Sequence, residues 1–134
     1  MDNTHVKLAL IDDHEMVIQG LSAIINSHHG LCVERTYLKG MEAIDDPEIG
    51  SVDIVLTDIN MPAFDGFATL SELKKKHAHL KVILLSMEMN KKSIRKAQEL
   101  GAAAYISKTA SVEKVVVCVK SIYTGVPEFL IVES

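Results

Sequence analysis

The chain is poor in cysteine: Cys32 and Cys118 stand apart, with no CxxC spacing and no histidine pattern around them. That excludes a zinc ribbon or a dithiol redox motif and leaves two free thiols, the state expected in a reducing compartment. A long apolar run is also missing. The opening segment Val6 to Ile11 is followed at once by Asp12 and Asp13, so it is neither a signal peptide nor a membrane span, and nothing else approaches spanning length. These absences predict a cytoplasmic chain with no membrane partner. An excess of positive charge is absent too: 14 Lys and Arg stand against 18 Asp and Glu, a net charge of -4. Direct nucleic-acid contact needs a basic footprint and is not expected. There is no internal repeat or low-complexity tract. After the first apolar run there is no Ser/Thr/Gly cradle for a flavin phosphate, only two acids that would repel one.

What is present is an ordinary globular balance of 48% hydrophobic and 24% charged residues in 134, enough for one core and too little for two. Short apolar runs alternate with segments of helical period, the pattern of a parallel sheet wrapped by crossover helices. The runs are Val6 to Ile11, Leu31 to Tyr37, Val52 to Thr57, Lys81 to Ser86 and Ala103 to Ile106. Between the first two, Val17, Gly20, Leu21, Ile24 and Ile25 predict a core-facing helical stripe ending near Gly30. A weak helix near Met41 to Asp46 is ended by Pro47, and Gly66 to His77 turns Phe67, Leu70 and Leu73 inward. Lys91 to Leu100 stops at Gly101, a good left-handed cap. Ser111 to Tyr123 keeps helical spacing through Val112, Val115, Val116, Val119 and Tyr123, which leaves Val117 exposed. Beyond Gly125, a tail with Pro127 and the apolar stretch Phe129 to Val132 either packs on the domain or leads onward.

In an open parallel sheet, ligands bind where strands end at their carboxyl side. Asp12 and Asp13 end the first run, Asp58 the third and Ser86 the fourth, while Lys108 follows the fifth. Carboxylates gathered in one crevice raise one another's pKa unless a cation neutralises them, and an oxygen-rich acidic set suits a hard ion such as Mg²⁺. Lys108 and Ser86 supply a fixed positive charge and a hydroxyl suited to the oxygens of a transferring phosphoryl group. Asp58 is then the candidate nucleophile, able to form an acyl phosphate.

At these residues the chain resembles the receiver domain of two-component response regulators, over Val6 to Tyr123. The stretch Asp58-Ile59-Asn60-Met61-Pro62-Ala63-Phe64-Asp65-Gly66 is similar to that family's phosphoacceptor loop, and Asp12-Asp13 to its metal-binding pair. The opening Asp12-Asp13-His14 is similar to receivers that precede a LuxR-type helix-turn-helix domain. The resemblance implies a flavodoxin-like (βα)5 fold, a doubly wound five-stranded parallel sheet of order 2-1-3-4-5. It implies a receiver domain over 1–124, with 125–134 as a tail or the start of a linker to an output domain outside this chain. It further implies that Asp58 is phosphorylated by a histidine kinase. Mg²⁺, or Mn²⁺ in its place, would then be bound by Asp13, Asp58 and the backbone carbonyl of Asn60, and by Asp12 through water. Ser86 corresponds to the switching hydroxyl, Lys108 to the phosphoryl-contacting lysine and Tyr105 to the aromatic switch. The output would be a changed surface around the fourth helix, fifth strand and fifth helix, homodimerisation, and control of transcription. Asn60 and Glu88 fall where the family tunes loss of the phosphoryl group.

Two departures from the family pattern stand out. Thr109 follows Lys108 where many receivers have proline, so a cis peptide there would cost roughly 3 kcal/mol without proline's help. Met87 follows Ser86 where a small residue is commoner, and a long side chain there narrows access to Asp58. Turnover of an external substrate is not expected. The competing readings are a metal-dependent aspartyl-phosphate phosphohydrolase, which would want a second carboxylate where Asn60 stands, and a phosphorylation-independent interaction module. His28, His29, His77 and His79 carry no metal-ligand spacing.

Overall fold

The computed structural model describes residues 5–125 and 128–134; Val126 and Pro127 of the expected tail lie outside the described residues. The chain alternates strand and helix. The elements are β1 (Val6–Ile11), α1 (Glu15–Asn26), β2 (Leu31–Tyr37), α2 (Gly40–Asp45), a 3-10 turn (Pro47–Ser51) and β3 (Ile54–Asp58). They continue as α3 (Gly66–Lys76), β4 (Lys81–Ser86), α4 (Lys91–Glu99), β5 (Ala104–Ser107), α5 (Val112–Tyr123) and β6 (Leu130–Val132).

Every strand pairs in parallel, in the order β2-β1-β3-β4-β5-β6. The expected order 2-1-3-4-5 is therefore extended: among the described residues the sheet has six strands, not five. The sixth comes from the tail. Leu130 and Val132 pack against the core while Ile131 between them is 51% exposed, the period-two pattern of a strand with one face buried.

That alternation divides the core into two layers. Ala9, Ile11, Val55, Val82, Leu84 and Tyr105 face α2, α3 and α4, whereas Leu8, Leu10, Leu56, Ile83, Leu85 and Ile106 face α1 and α5. Central strands buried on both faces read as continuous apolar runs, which is why their sequence signal is strong.

The helices differ from expectation in which face they bury. On α1 the buried residues are Ile18 and Ile25, with Leu21 half-buried, and Val17, Gly20 and Ile24 lie on the exposed side. The stripe is rotated by one residue because the adjacent pairs Val17–Ile18 and Ile24–Ile25 let two neighbouring faces satisfy the same period. On α5, Cys118 and Ile122 are buried with Val115, Val116 and Val119, while Tyr123 is exposed. Val117 is exposed as expected. Pro47 does not merely end α2 but opens the 3-10 turn, where its missing N–H costs nothing.

Three helices begin with a side-chain cap: Asp65 accepts from Ala68 N at 2.9 Å, Asn90 from Ser93 N at 2.8 Å and Ser111 from Lys114 N at 3.3 Å. Helix α1 does not; its N-cap residue His14 is turned to other partners. Both cysteines are free, and burial pushes the Cys118 thiol up to about 11.

Candidate functional site

The acids converge at the carboxyl end of the sheet. Asp58 is the last residue of β3 and is buried, and Asp12 follows β1, held there as its N–H donates to Tyr37 O at 3.1 Å. Lys108 follows β5, and its backbone N–H donates to Ser86 O at 2.8 Å, which ties the β5–α5 loop to the end of β4. From that anchor the lysine ammonium stands 3.1 Å from Asp12 Oδ2 and 3.1 Å from Asp58 Oδ2.

The fourth member was not foreseen. His14 places Nδ1 3.0 Å from Asp12 Oδ1 and 3.1 Å from Asp13 Oδ1. Carboxylates only accept, so Nδ1 carries the proton, and its hydrogen bond goes to Asp12. The only signal was position: the residue directly follows the acid pair, at the start of the first helix. Ligand atoms of Asp12, Asp13, His14 and Asp58 all lie within 4.8 Å of one another.

Burial raises the Asp58 pKa and the charge of Asp12 adds to the rise, against the opposing pull of Lys108 and a hydrogen bond from Asn60 N at 3.2 Å. For Lys108 burial acts to lower the pKa, but the hydrogen bond to Asp12 and the charges of Asp58 and Asp12 win and raise it. The site thus holds more negative charge than its own cations comfortably balance. Asp13 Oδ1 is buried and accepts no hydrogen bond, although His14 Nδ1 stands 3.1 Å away, because the proton of that nitrogen is directed at Asp12. An orphan carboxylate oxygen beside two further carboxylates fits a hard divalent ion such as Mg²⁺.

Around this centre the remaining predicted residues are close in chain position but differently engaged. Ser86 is buried, and its Oγ accepts from Glu88 N at 2.9 Å. Tyr105 is fully buried, and its hydroxyl donates to Glu88 O at 2.6 Å. One residue of the β4–α4 loop therefore engages both. Asn60, Ser86 and Glu88 line a shallow open basin of about 450 Å³. Met87 is 62% exposed and is not among the residues lining that basin. The Lys108–Thr109 peptide is trans, and no cis bond occurs among the described residues.

The loop after Asp58 is positioned by close packing. Gly66 begins α3 so near β3 that a Cβ there would lie 2.5 Å from Asp58 O and 2.6 Å from Ile59 Cα, closer than any side chain permits. Within the loop Ala63 has φ +67°, a left-handed conformation that a residue with a Cβ adopts at a cost of about 1 kcal/mol.

Comparison with known proteins gives a consistent result. The model of the response regulator receiver domain matches residues 8–120. The response regulator UvrY of Escherichia coli (strain K12) is 31% identical over 120 residues, covering 90% of this chain and 55% of that protein. The chain thus spans little more than half the length of such relatives. Among solved structures, a LuxR-family DNA-binding response regulator from Staphylococcus aureus is 26% identical with TM-score 0.79, covering 87% of this chain and 98% of that one. CheY in the CheX-CheY-BeF3-Mg+2 complex from Borrelia burgdorferi is 26% identical with TM-score 0.82, covering 90% of each chain. With its strand-end acids and lysine in one cluster and the family model matched across nearly its whole length, the chain belongs to the response regulator receiver domain family, and its relatives include regulators of the LuxR type.

Proposed function

We propose that Asp58 accepts a phosphoryl group from a phosphohistidine on a histidine kinase and that the resulting charge switches the domain's surface. The observation that carries the reading is the Lys108 ammonium held 3.1 Å from carboxylates of both Asp12 and Asp58, beside the orphan oxygen of Asp13. Such a set is short of positive charge, which a divalent cation held by the carboxylates would supply.

In the transfer, a carboxylate oxygen of Asp58 attacks phosphorus. The P–N bond to the donor imidazole breaks as the P–O bond of the acyl phosphate forms, and the leaving imidazole takes a proton from water. Attack by water later returns inorganic phosphate and the carboxylate, so no external substrate is turned over. Asp13, Asp58 and the Asn60 carbonyl would hold Mg²⁺ (or Mn²⁺), with Asp12 acting through water. When bound, the ion neutralises charge on the phosphoryl oxygens. Lys108 then pairs with those oxygens, Ser86 leaves Glu88 N to donate to one of them, and Tyr105, the aromatic switch, gives up its hydrogen bond to Glu88 O as the β4–α4 loop shifts. Burial, with the charge of Asp12, raises the Asp58 pKa, and a cation bound among these acids would favour the ionised nucleophile.

The phosphoryl group adds about -1.5 to -2 charges. The face of α4, β5 and α5 responds, a homodimer forms on phosphorylation, and transcription is controlled through a DNA-binding domain of the kind named in its relative. This receiver occupies 1–124, with 125–134 appended, and works in the cytoplasm. Among the described residues no helix is long and apolar enough to cross a membrane.

Intact mass after incubation with acetyl phosphate and Mg²⁺ tests the proposal on wild type, on Asp58→Ala and with the metal chelated. One phosphoryl adduct is expected, lost in both controls. No adduct, or one that survives Asp58→Ala, removes Asp58 from the role and leaves an interaction module of the same fold.

A further inference from the structure

The departure at Thr109 has a structural counterpart at the other end of the chain. Strand β6 pairs with the outer edge of β5, Ala104 opposite Leu130, Tyr105 opposite Ile131 and Ile106 opposite Val132, and Leu130 N donates to Ala103 O at 3.2 Å. The residues after it reach the β5–α5 loop. Ser134 Oγ lies 3.3 Å from Ser107 Oγ, the hydroxyls of Ser134 and Thr109 are in hydrogen-bond contact, and Lys114 Nζ lies 3.5 Å from Glu133 O. Ser107 and Thr109 are also joined to each other, hydroxyl to hydroxyl at 2.7 Å and Thr109 N to Ser107 Oγ at 3.1 Å. Lys108 is thus flanked on both sides by residues that hold the C-terminal segment. A proline at 109 could provide neither the hydroxyl nor the N–H.

We propose that the segment from Leu130 to Ser134 is a latch on the β5–α5 loop, docked while Lys108 pairs with the carboxylates and released when Asp58 carries a phosphoryl group. This rests on the acceptor reading of Asp58. A three-residue strand at a sheet edge, with Leu130 and Val132 only half-buried, has little stability of its own, so a small bias at the loop decides whether it stays. New acceptor oxygens on Asp58 draw the lysine from Asp12, and the loop that carries it moves with it. Hydrogen bonds weaken steeply as their geometry degrades, so the Ser107 and Thr109 contacts are lost first. The two events are then linked, and linkage is reciprocal: whatever factor phosphorylation applies to docking, docking applies to the affinity for a phosphoryl mimic.

The test is amide hydrogen exchange of peptides covering 128–134 in the full chain, before and after treatment with acetyl phosphate and Mg²⁺, with intact mass reporting the adduct. Exchange in this segment is expected to speed up by about fivefold or more once the adduct forms. In Thr109→Val, which removes the hydroxyl at nearly constant volume, exchange is expected to be fast in both states while the adduct still forms. Beryllofluoride with Mg²⁺ should also bind this variant more tightly than wild type by a similar factor. An adduct with exchange unchanged or slowed, or equal beryllofluoride affinity in the two proteins, overturns the latch and leaves the acceptor reading standing. Absence of any adduct overturns both.

Discussion

The two ends of the sheet treat polar groups in opposite ways. At the amino end they terminate on the backbone: Lys7 N donates to Asp53 Oδ2 at 2.9 Å, Lys74 Nζ donates to the carbonyls of Ala78 and Leu80 at 2.9 and 3.0 Å, and His79 Nε2 meets Gly50 O at 2.9 Å. At the carboxyl end acids face acids, with one lysine and one histidine between them and an oxygen of Asp13 left over. Both ends bury charge. Lys74 has its pKa lowered by burial and then by the charge of Lys81, while Asp58 has its own raised by burial first. The difference lies in the partners. Neutral carbonyls saturate a cation and close the structure, whereas like-charged neighbours leave a deficit that an arriving ion or phosphoryl group can fill.

The largest expected effect comes from breaking the carboxyl end mechanically. Gly66→Ala forces a Cβ into the Asp58 carbonyl and the Ile59 backbone, neither of which can yield as a flexible side chain would. A loss of about 3 kcal/mol in denaturant stability is expected, with slower adduct formation as the loop carrying Asp58 is pushed out of place. At the amino end, Lys74→Met leaves two carbonyls without their donor and should cost about 1 kcal/mol while adduct formation stays at the wild-type rate. An altered rate would show that the ends are not independent.

The comparison is sharpened by removing charge without removing shape. The folded pKa of Asp58 lies above its ordinary value of 3.8, so the folded state favours the protonated form. The group's contribution to stability is therefore full below the unfolded value and is lost as pH rises through the folded one. At neutral pH the ionised carboxylate lowers stability, and Asp58→Asn should melt a few degrees higher than wild type. Melts repeated toward about pH 4 should show the gap closing. A variant that melts lower at neutral pH would mean that the pairing with Lys108 outweighs the burial. The smallest effect is expected from Ala63→Gly. It relieves the left-handed alanine in the acceptor loop and should gain roughly 0.5 kcal/mol in equilibrium unfolding, less than the strain itself because glycine has more freedom to lose.

Strands β1, β2 and β4 were legible to the residue: β1 and β4 are largely apolar and closed off by charge or turn chemistry, and β2 starts after Gly30 and runs through β-branched and aromatic residues to Tyr37. Strand β6 was not, since three residues are too few to display a period and its ladder depends on an edge that exists only once the sheet has formed. The buried face of α1 was placed only in part: Leu21 and Ile25 turn inward as expected, but Val17 and Ile24 repeat at the same interval as Ile18 and Ile25, and only the position of β1 and α5 decides between them. At the site, Asp12, Asp13, Asp58 and Lys108 were legible because strand ends must meet at one edge of a parallel sheet. The part of His14 was not, because it depends on a side-chain direction at a helix N-terminus that could equally have faced solvent.

Ser86 and Tyr105 engage opposite sides of one peptide residue, the first through the N–H of Glu88 and the second through its carbonyl. Both groups are otherwise buried and hard to observe directly. Glu88 is therefore a two-channel reporter. In a sample labelled with ¹⁵N and ¹³C at this residue, the amide nitrogen would register departure of the serine and the carbonyl carbon departure of the tyrosine. One spectrum taken during phosphorylation would then show whether they leave together or in sequence.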